Sequence, residues 1–332
     1  MSVFIADEIR TALQSNGPVV ALETAVLTKG LPHTSWSDVF GERPQLIDAG
    51  IPINLAAAKA ISLAVKTAGG IPAWIAVIDG SLRIGLSNQE IETLALDHDA
   101  GKVSLATIAS DIALKKSAGT TVATTLQACE LIRKQHNHSI RVFATGGIGG
   151  IHRNWSTTFD ISADLRALAT TPVCVVASGA KSILDVRATV ESLETLGVPI
   201  LGLGIDRFPC FVESSSDQDP TITAVDSPQG VVDICDLHWN QLNASSSVLA
   251  ACQVPDDVAL DRGTLEKVIE ETDRSWQASG DVGATRTPAL LDAVARHTKG
   301  TSLVANLALL CNNAALAAEI AVEMSKRSTS SL

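Results

Sequence analysis

The chain contains no tyrosine, and its aromatic residues together make up 3% of 332 positions. A core of this size cannot rest on stacked rings. It has to come from Ala, Val, Ile and Leu, which supply most of the 46% hydrophobic fraction and suit a parallel sheet covered by helices. Positive charge is also scarce: 25 Lys and Arg against 36 Asp and Glu leave a net charge of -11. That balance argues against a nucleic-acid binder, which carries a basic face, while a local pocket for one phosphate stays compatible with it. The six cysteines, at 129, 174, 210, 235, 252 and 311, form no C-x-x-C pair. Several lie in apolar runs such as Val173-Cys-Val-Val176, and they read as reduced core thiols of a cytoplasmic protein. Residues 1–17 lack a charged start followed by an apolar stretch, so no secretory signal is expected. No uncharged apolar run reaches the roughly 18 to 20 residues that cross a bilayer, so no membrane partner is expected. The most apolar segment, 301–324, carries Asn306, Asn312, Asn313 and Glu319 and reads as a core helix.

Along the chain, short apolar runs alternate with helical patterns. Strands are expected at Pro18–Thr24, Pro72–Ile78, Leu82–Leu86, Arg141–Thr145, Val173–Ala177, Pro199–Leu203 and Ser245–Cys252. Helices are expected at Asn54–Ala68, after the capping box Ser87-Asn-Gln-Glu90, near 107–117 and 121–135, and at Ile161–Ala169 and Ile183–Leu196. The alternation predicts one α/β domain over 1–332, three-layer α/β/α, with a largely parallel or mixed central sheet. Residues 31–53, with Pro32, Gly41, Pro44, Gly50 and Pro52, read as an irregular inserted loop.

Four features carry chemistry. Gly146-Gly-Ile-Gly-Gly150 follows a strand and lets peptide N–H groups approach a ligand. It is not a dinucleotide fingerprint, because from Gly147 the third required glycine falls on His152. His152-Arg153, directly after it, suits phosphate contact. Lys181 stands just past the apolar strand Val173–Ala177, where ligands gather in α/β sheets; partial desolvation there is expected to lower its pKa and free a lone pair for a carbonyl carbon. By itself a strand-end lysine is more often a solvated or salt-bridged residue. Glu23 ends the strand from Pro18, and half-burial suits a general acid or base, or else a partner for a core cation. Asp160 and Asp164, four apart, are expected on one helix face, which suits a hard divalent cation or stabilisation of a helix N-terminus. His136 and His138 read as exposed loop residues without a third ligand.

Together these motifs resemble the pseudouridine-5′-phosphate glycosidase family. The resemblance spans roughly 18–325. It is carried by Pro18-Val-Val-Ala-Leu-Glu-Thr24, Lys102-Val-Ser104, Gly119-Thr-Thr-Val-Ala123, the Val142–Leu165 block, Ser178-Gly-Ala-Lys-Ser-Ile-Leu-Asp185, Thr287-Pro288 and Ser302-Leu-x-x-Asn306 with Asn312-Asn313. It implies Lys181 as nucleophile, Glu23 as proton donor and Asp160 as ligand of Mn²⁺, with Mg²⁺ as a possible substitute. Lys102, Thr121, Val122, Ser162, Ala163, Asp164 and Asn306 are then expected at the substrate, with His152 beside them. The implied reaction is reversible cleavage of the C–C glycosidic bond of pseudouridine 5′-phosphate through a lysine imine with the ring-opened sugar, in a homotrimer. Two rival expectations are a C-ribosyl synthase joining ribose 5-phosphate to a non-uracil ring, and a non-catalytic sugar-phosphate binding protein. The chain departs from the family pattern in about twenty extra residues after Gly30-Leu-Pro32, and in Ile78-Asp79-Gly80 where Ile-Gly-Gly is usual.

Overall fold

The computed structural model describes residues 3–39, 50–136, 138–279 and 293–330. Most of the inserted loop, and the Thr287-Pro288 pair, lie outside the described residues. Eleven strands form one sheet among the described residues. In chain order they are β1 (Val3–Ile5), β2 (Val19–Glu23), β3 (Ile71–Ile78), β4 (Ser81–Ile84), β5 (Gly101–Val103), β6 (Ala118–Thr120), β7 (Val142–Ala144), β8 (Cys174–Ala177), β9 (Ile200–Leu203), β10 (Thr223–Val225) and β11 (Val248–Ala251). They lie side by side as β1-β4-β3-β2-β7-β8-β11-β9-β10, with β6 also pairing β3, and β5 pairing β6. From β1 to β10 along this order every pairing is parallel except β3 with β4. β6 runs antiparallel to β3. The sheet is therefore mixed with a parallel centre.

Burial explains the sequence pattern. Strands β7, β8 and β11 are buried along their whole length, and in β2 only Glu23 is accessible. Continuous Val, Ala, Leu and Cys runs are what parallel strands covered on both faces require. One layer holds the helices Ile53–Thr67 and Pro228–Asp236, each packed on the helix Thr301–Ser330, which lies across β2, β7 and β8. The helices Val122–His136 and Ala163–Leu168 pack together in the other layer, the longer one against β2. Residues 301–327 are long and apolar enough by composition to cross a membrane, with mean hydropathy 1.5. In the fold they are the spine of the first layer, and Ala305, Leu309, Ala314, Ala317, Ala318 and Ile320 are fully enclosed.

The structure departs from expectation in several places, among them the start of the helix expected at Ile183, which begins at Val186. The helix expected from Ile161 begins at Ala163, because Ser162 has extended backbone and its hydroxyl accepts the N–H of Asp164 at 3.2 Å. Asp160 therefore precedes the helix, and the expected pairing of Asp160 and Asp164 on one helix face does not form. Strands β5 and β6 were not visible as apolar runs, since three-residue strands such as Gly101–Val103 exist only through their partners. The departure at Ile78-Asp79-Gly80 is structurally mild: Asp79 (φ 48°) and Gly80 (φ 73°) form the two-residue turn between β3 and β4, where Asp-Gly is a favoured pair.

Candidate active site

Chain order reverses between β2 and β7: from β2 the chain continues to β3 on one side, while β7 leads to β8 on the other. Ligands of open α/β sheets sit in the crevice outside the carboxyl ends of strands at such a point. Here those ends deliver Glu23 from β2, Thr145-Gly146-Gly147 after β7, and Ser178 to Lys181 after β8. A cavity of about 80 Å³ opens there, lined by Glu23, Lys102, Thr145, Gly146, Gly147, Lys181, Phe211 and Asn306, with Val26, Lys29 and Leu310 at its sides. A larger cavity, of about 430 Å³, lies at the amino ends of β2 and β7, lined by Pro18, Val19, His138, Arg141 and Trp239. Neither Glu23 nor Lys181 lines it, so the smaller cavity is the one that brings the two expected reactive residues together. His138 is half-buried at the rim of the larger cavity rather than exposed.

The turn that carries Lys181 is fixed by Gly179, at φ 67°. A Cβ there would stand 1.9 Å from the Pro209 carbonyl oxygen, so only glycine fits. Its own carbonyl accepts the Ile148 N–H at 2.9 Å, and the Lys181 N–H donates to the Ile148 carbonyl at 3.3 Å. The glycine loop thus continues the β7–β8 pairing past the sheet edge.

Glu23 faces Lys181 across this cleft. Burial pushes its carboxyl above the ordinary value. The Lys181 charge, a hydrogen bond from Thr145 and the Lys102 charge pull it down, and Asp164 pushes it up. Lys102, at the centre of β5, is lowered mainly by burial and then by the neighbouring Lys181 charge, against Asp164 and Glu23. β6 brings Thr121 and Val122 to the same end of the sheet, because the Thr120 N–H donates to Thr24 Oγ1 at 3.0 Å and the Thr120 hydroxyl to the Ile75 carbonyl at 2.6 Å. Val122 is buried at the start of its helix. The arrangement combines an amine, an acid of raised pKa and a second cation at one apolar-walled crevice.

The remaining expected residues divide into two groups. Asp164 is buried, and its two oxygens accept the N–H groups of Ala123 at 3.0 Å and Gly149 at 2.8 Å. It ties the start of helix Val122–His136 to the glycine loop. Ser162 caps the following helix, and Ala163 is exposed beside it. Asp160 stands 3.6 Å from His152 through Oδ2 and Nδ1, and the His152 N–H donates to the Asp160 carbonyl at 3.1 Å. Asp160 keeps 32% of its side chain accessible, while His152 is buried. Arg153 is engaged instead by Glu266, at 3.2 Å. Among the described residues no three His, Cys, Asp or Glu side chains converge as a metal cluster.

Sequence reasoning did not single out Thr145 or Phe211, nor assign a role to Asn313. Asn313 is fully buried on the long helix. Its amide donates to the carbonyls of Thr145 at 2.9 Å and Gly146 at 3.3 Å, while its oxygen accepts from Ser178 at 3.2 Å and from the Cys252 thiol at 3.0 Å. The available signal was an asparagine within a largely apolar helix, a costly placement when buried unless every polar atom is satisfied.

Comparison with known proteins shows the family of this chain. The family described as indigoidine synthase A like protein matches residues 8–323. A pseudouridine-5′-phosphate glycosidase from Sorangium cellulosum is 41% identical over 97% of this chain and 93% of its own. One from Staphylococcus aureus is 38% identical over 96% and 95%. Among solved structures, the prealnumycin C-glycosynthase AlnA in complex with ribulose 5-phosphate superposes with a TM-score of 0.83 at 33% identity, covering 99% of both chains. An indigoidine synthase A-like protein from Thermotoga maritima gives 0.81 at 28% identity, covering 98% and 97%. The chain belongs to the indigoidine synthase A-like family.

Proposed function

We propose that the chain is a pseudouridine-5′-phosphate glycosidase, an enzyme that reversibly cleaves pseudouridine 5′-phosphate to uracil and ribose 5-phosphate. The observation that carries this is Lys181 and the raised-pKa Glu23 lining one cleft, at the carboxyl ends of the two strands, β8 and β2, that flank β7. The bond to be broken joins C1′ to a ring carbon, which has no lone pair to protonate as an ordinary glycoside has. An imine removes that obstacle. The Lys181 amine takes C1′ as the ring oxygen O4′ leaves, the proton shed by the nitrogen completing the new hydroxyl, and the nitrogen lone pair then drives out the ring carbon. As the C–C bond breaks, its electrons stay on the ring carbon of uracil while the sugar becomes an iminium ion. Glu23 delivers a proton to that carbon. Water then hydrolyses the imine, returning the amine and the aldehyde of ribose 5-phosphate. Run backwards, the carboxylate of Glu23 takes the proton from the ring and the bond forms.

Lys102 lines the cleft beside Lys181 and would balance anionic charge there, while Thr121, Val122, Ser162 and His152 are residues that the resemblance assigns to the substrate, whose 5′-phosphate lies away from C1′. Binding energy at that remote phosphate is what holds C1′ in reach of the amine.

A divalent ion, Mn²⁺ or Mg²⁺, belongs to the same proposal. One accessible carboxylate without a converging cluster fits an ion held largely by water and substrate phosphate, and does not fit an enclosed protein site. Asp160 would hold it, and when bound it supplies positive charge that anchors the phosphate. Six free thiols, five of them buried, suit a reducing cytoplasm. A homotrimer follows from the resemblance, and light scattering measures it.

A second reading is favoured by the likeness to AlnA: the same imine chemistry joining ribose 5-phosphate to a ring other than uracil. Incubation with pseudouridine 5′-phosphate and Mn²⁺ separates the two, since release of uracil supports the glycosidase. No uracil, with product formed from ribose 5-phosphate and another ring, supports the synthase. Binding of ribose 5-phosphate with no turnover in either direction would leave a non-catalytic binder.

A further inference from the structure

We infer that Phe211 is the platform on which the accepted ring lies, and that it selects flat, uncharged heteroaromatics presenting a carbonyl beside an N–H. The inference rests on the glycosidase reading above. Phe211 is 5% exposed, yet its side chain lines the reactive cleft. Its backbone is left-handed, φ 55°, a region that bulky L residues avoid for steric reasons. Such strain persists only where the surroundings over-determine it. Here the Phe211 N–H donates to the Ser178 carbonyl at 2.9 Å, and the Ser182 hydroxyl donates to the Cys210 carbonyl at 3.1 Å. Ser178 and Ser182 bracket Lys181. The turn that presents the nucleophile therefore also holds Phe211 in its costly conformation.

That conformation lays the ring on the glycine loop. A Cβ added at Gly147 would meet Phe211 Cδ2 at 2.9 Å, and one at Gly146 would meet Cε2 at 3.3 Å. These glycines directly follow Thr145, whose hydroxyl holds Glu23. Proton delivery requires the departing ring carbon beside Glu23, so the base occupies the Phe211 side of the cleft. Lys102 lines the same cleft, close to Lys181 and Glu23. Asn306 and Leu310, one helical turn apart, face the same cleft. Leu310 extends the apolar floor, and the Asn306 carboxamide offers a donor and an acceptor side by side. Lys29, the cation at the mouth, is held on the His98 carbonyl at 3.2 Å. An aromatic floor with one carboxamide at its edge suits a neutral pyrimidinedione.

The test uses the full enzyme in the synthetic direction with uracil and ribose 5-phosphate. Phe211→Leu keeps apolar bulk and removes the π face. It should raise the KM for uracil about ten-fold, while borohydride trapping of ribose 5-phosphate on Lys181 stays within about two-fold of wild type. Phe211→Tyr, which keeps the ring, should restore the uracil KM. An unchanged uracil KM in Phe211→Leu overturns the platform. So does a parallel loss of trapping, which would mark a purely structural role in the Lys181 turn. Absence of trapping in the wild-type enzyme overturns the imine reading itself, and this inference with it.

Discussion

The Thr145 hydroxyl donates to Glu23 Oε1 from the end of the neighbouring strand, 122 positions away in sequence. The bond lowers a carboxyl that burial raises, so it sets how far the acid can rise. In the proposed cleavage the protonated form acts, so activity is expected to fall as pH climbs through the Glu23 pKa. Thr145→Val removes a lowering influence and should move the alkaline limb of kcat/KM upward by on the order of one pH unit. In synthesis the carboxylate acts, and the acid limb should move upward too. Profiles in both directions check this, and a shift to lower pH would remove Glu23 from its role.

Asn313 stands one step behind Thr145. Replacing it with alanine orphans the Thr145 carbonyl and the Ser178 hydroxyl and takes one of two donors from the Gly146 carbonyl, which keeps the Ser178 N–H; the expected cost is about 2 kcal/mol. Urea unfolding measures the loss. Asn313→Asp aims an acceptor at the Thr145 and Gly146 carbonyls. Its folded-state pKa should be raised, so stability present at low pH should fall as pH rises through that value. A variant equally stable at both ends of that range would show that the hub is not sealed.

Asp160 is expected to matter for metal and not for folding. Free Mn²⁺ counted by paramagnetic resonance in the presence of ribose 5-phosphate should show binding about ten-fold weaker or worse in Asp160→Ala. Chelation should slow wild-type turnover and leave that variant nearly unchanged. Equal Mn²⁺ affinity in the two proteins would place the ion elsewhere.

How much of this was legible follows from range. Buried parallel strands announce themselves locally, so β2 and β8 with their end residues Glu23 and Lys181 were readable. So was the Ser87–Glu90 box, whose reciprocal bonds form as expected. Strands β5 and β6 owe their existence to pairing across the sheet, and Lys102 could be placed only by resemblance. The spacing of Asp160 and Asp164 misled because Ser162 outcompetes them as a helix cap, leaving one carboxylate to the His152 turn and the other to two peptide N–H groups. Phe211 was invisible because its left-handed backbone is imposed by the Ser178 carbonyl, and nothing in Phe208-Pro-Cys-Phe211 demands it.

The central claim is a covalent bond between one nitrogen and one sugar carbon. The most direct measurement is intact mass and peptide mapping after borohydride reduction in the presence of ribose 5-phosphate. A single adduct on Lys181, absent from Lys181→Ala, is the predicted result. An adduct that persists in Lys181→Ala, or one that maps to Lys102 in the wild-type chain, would contradict it.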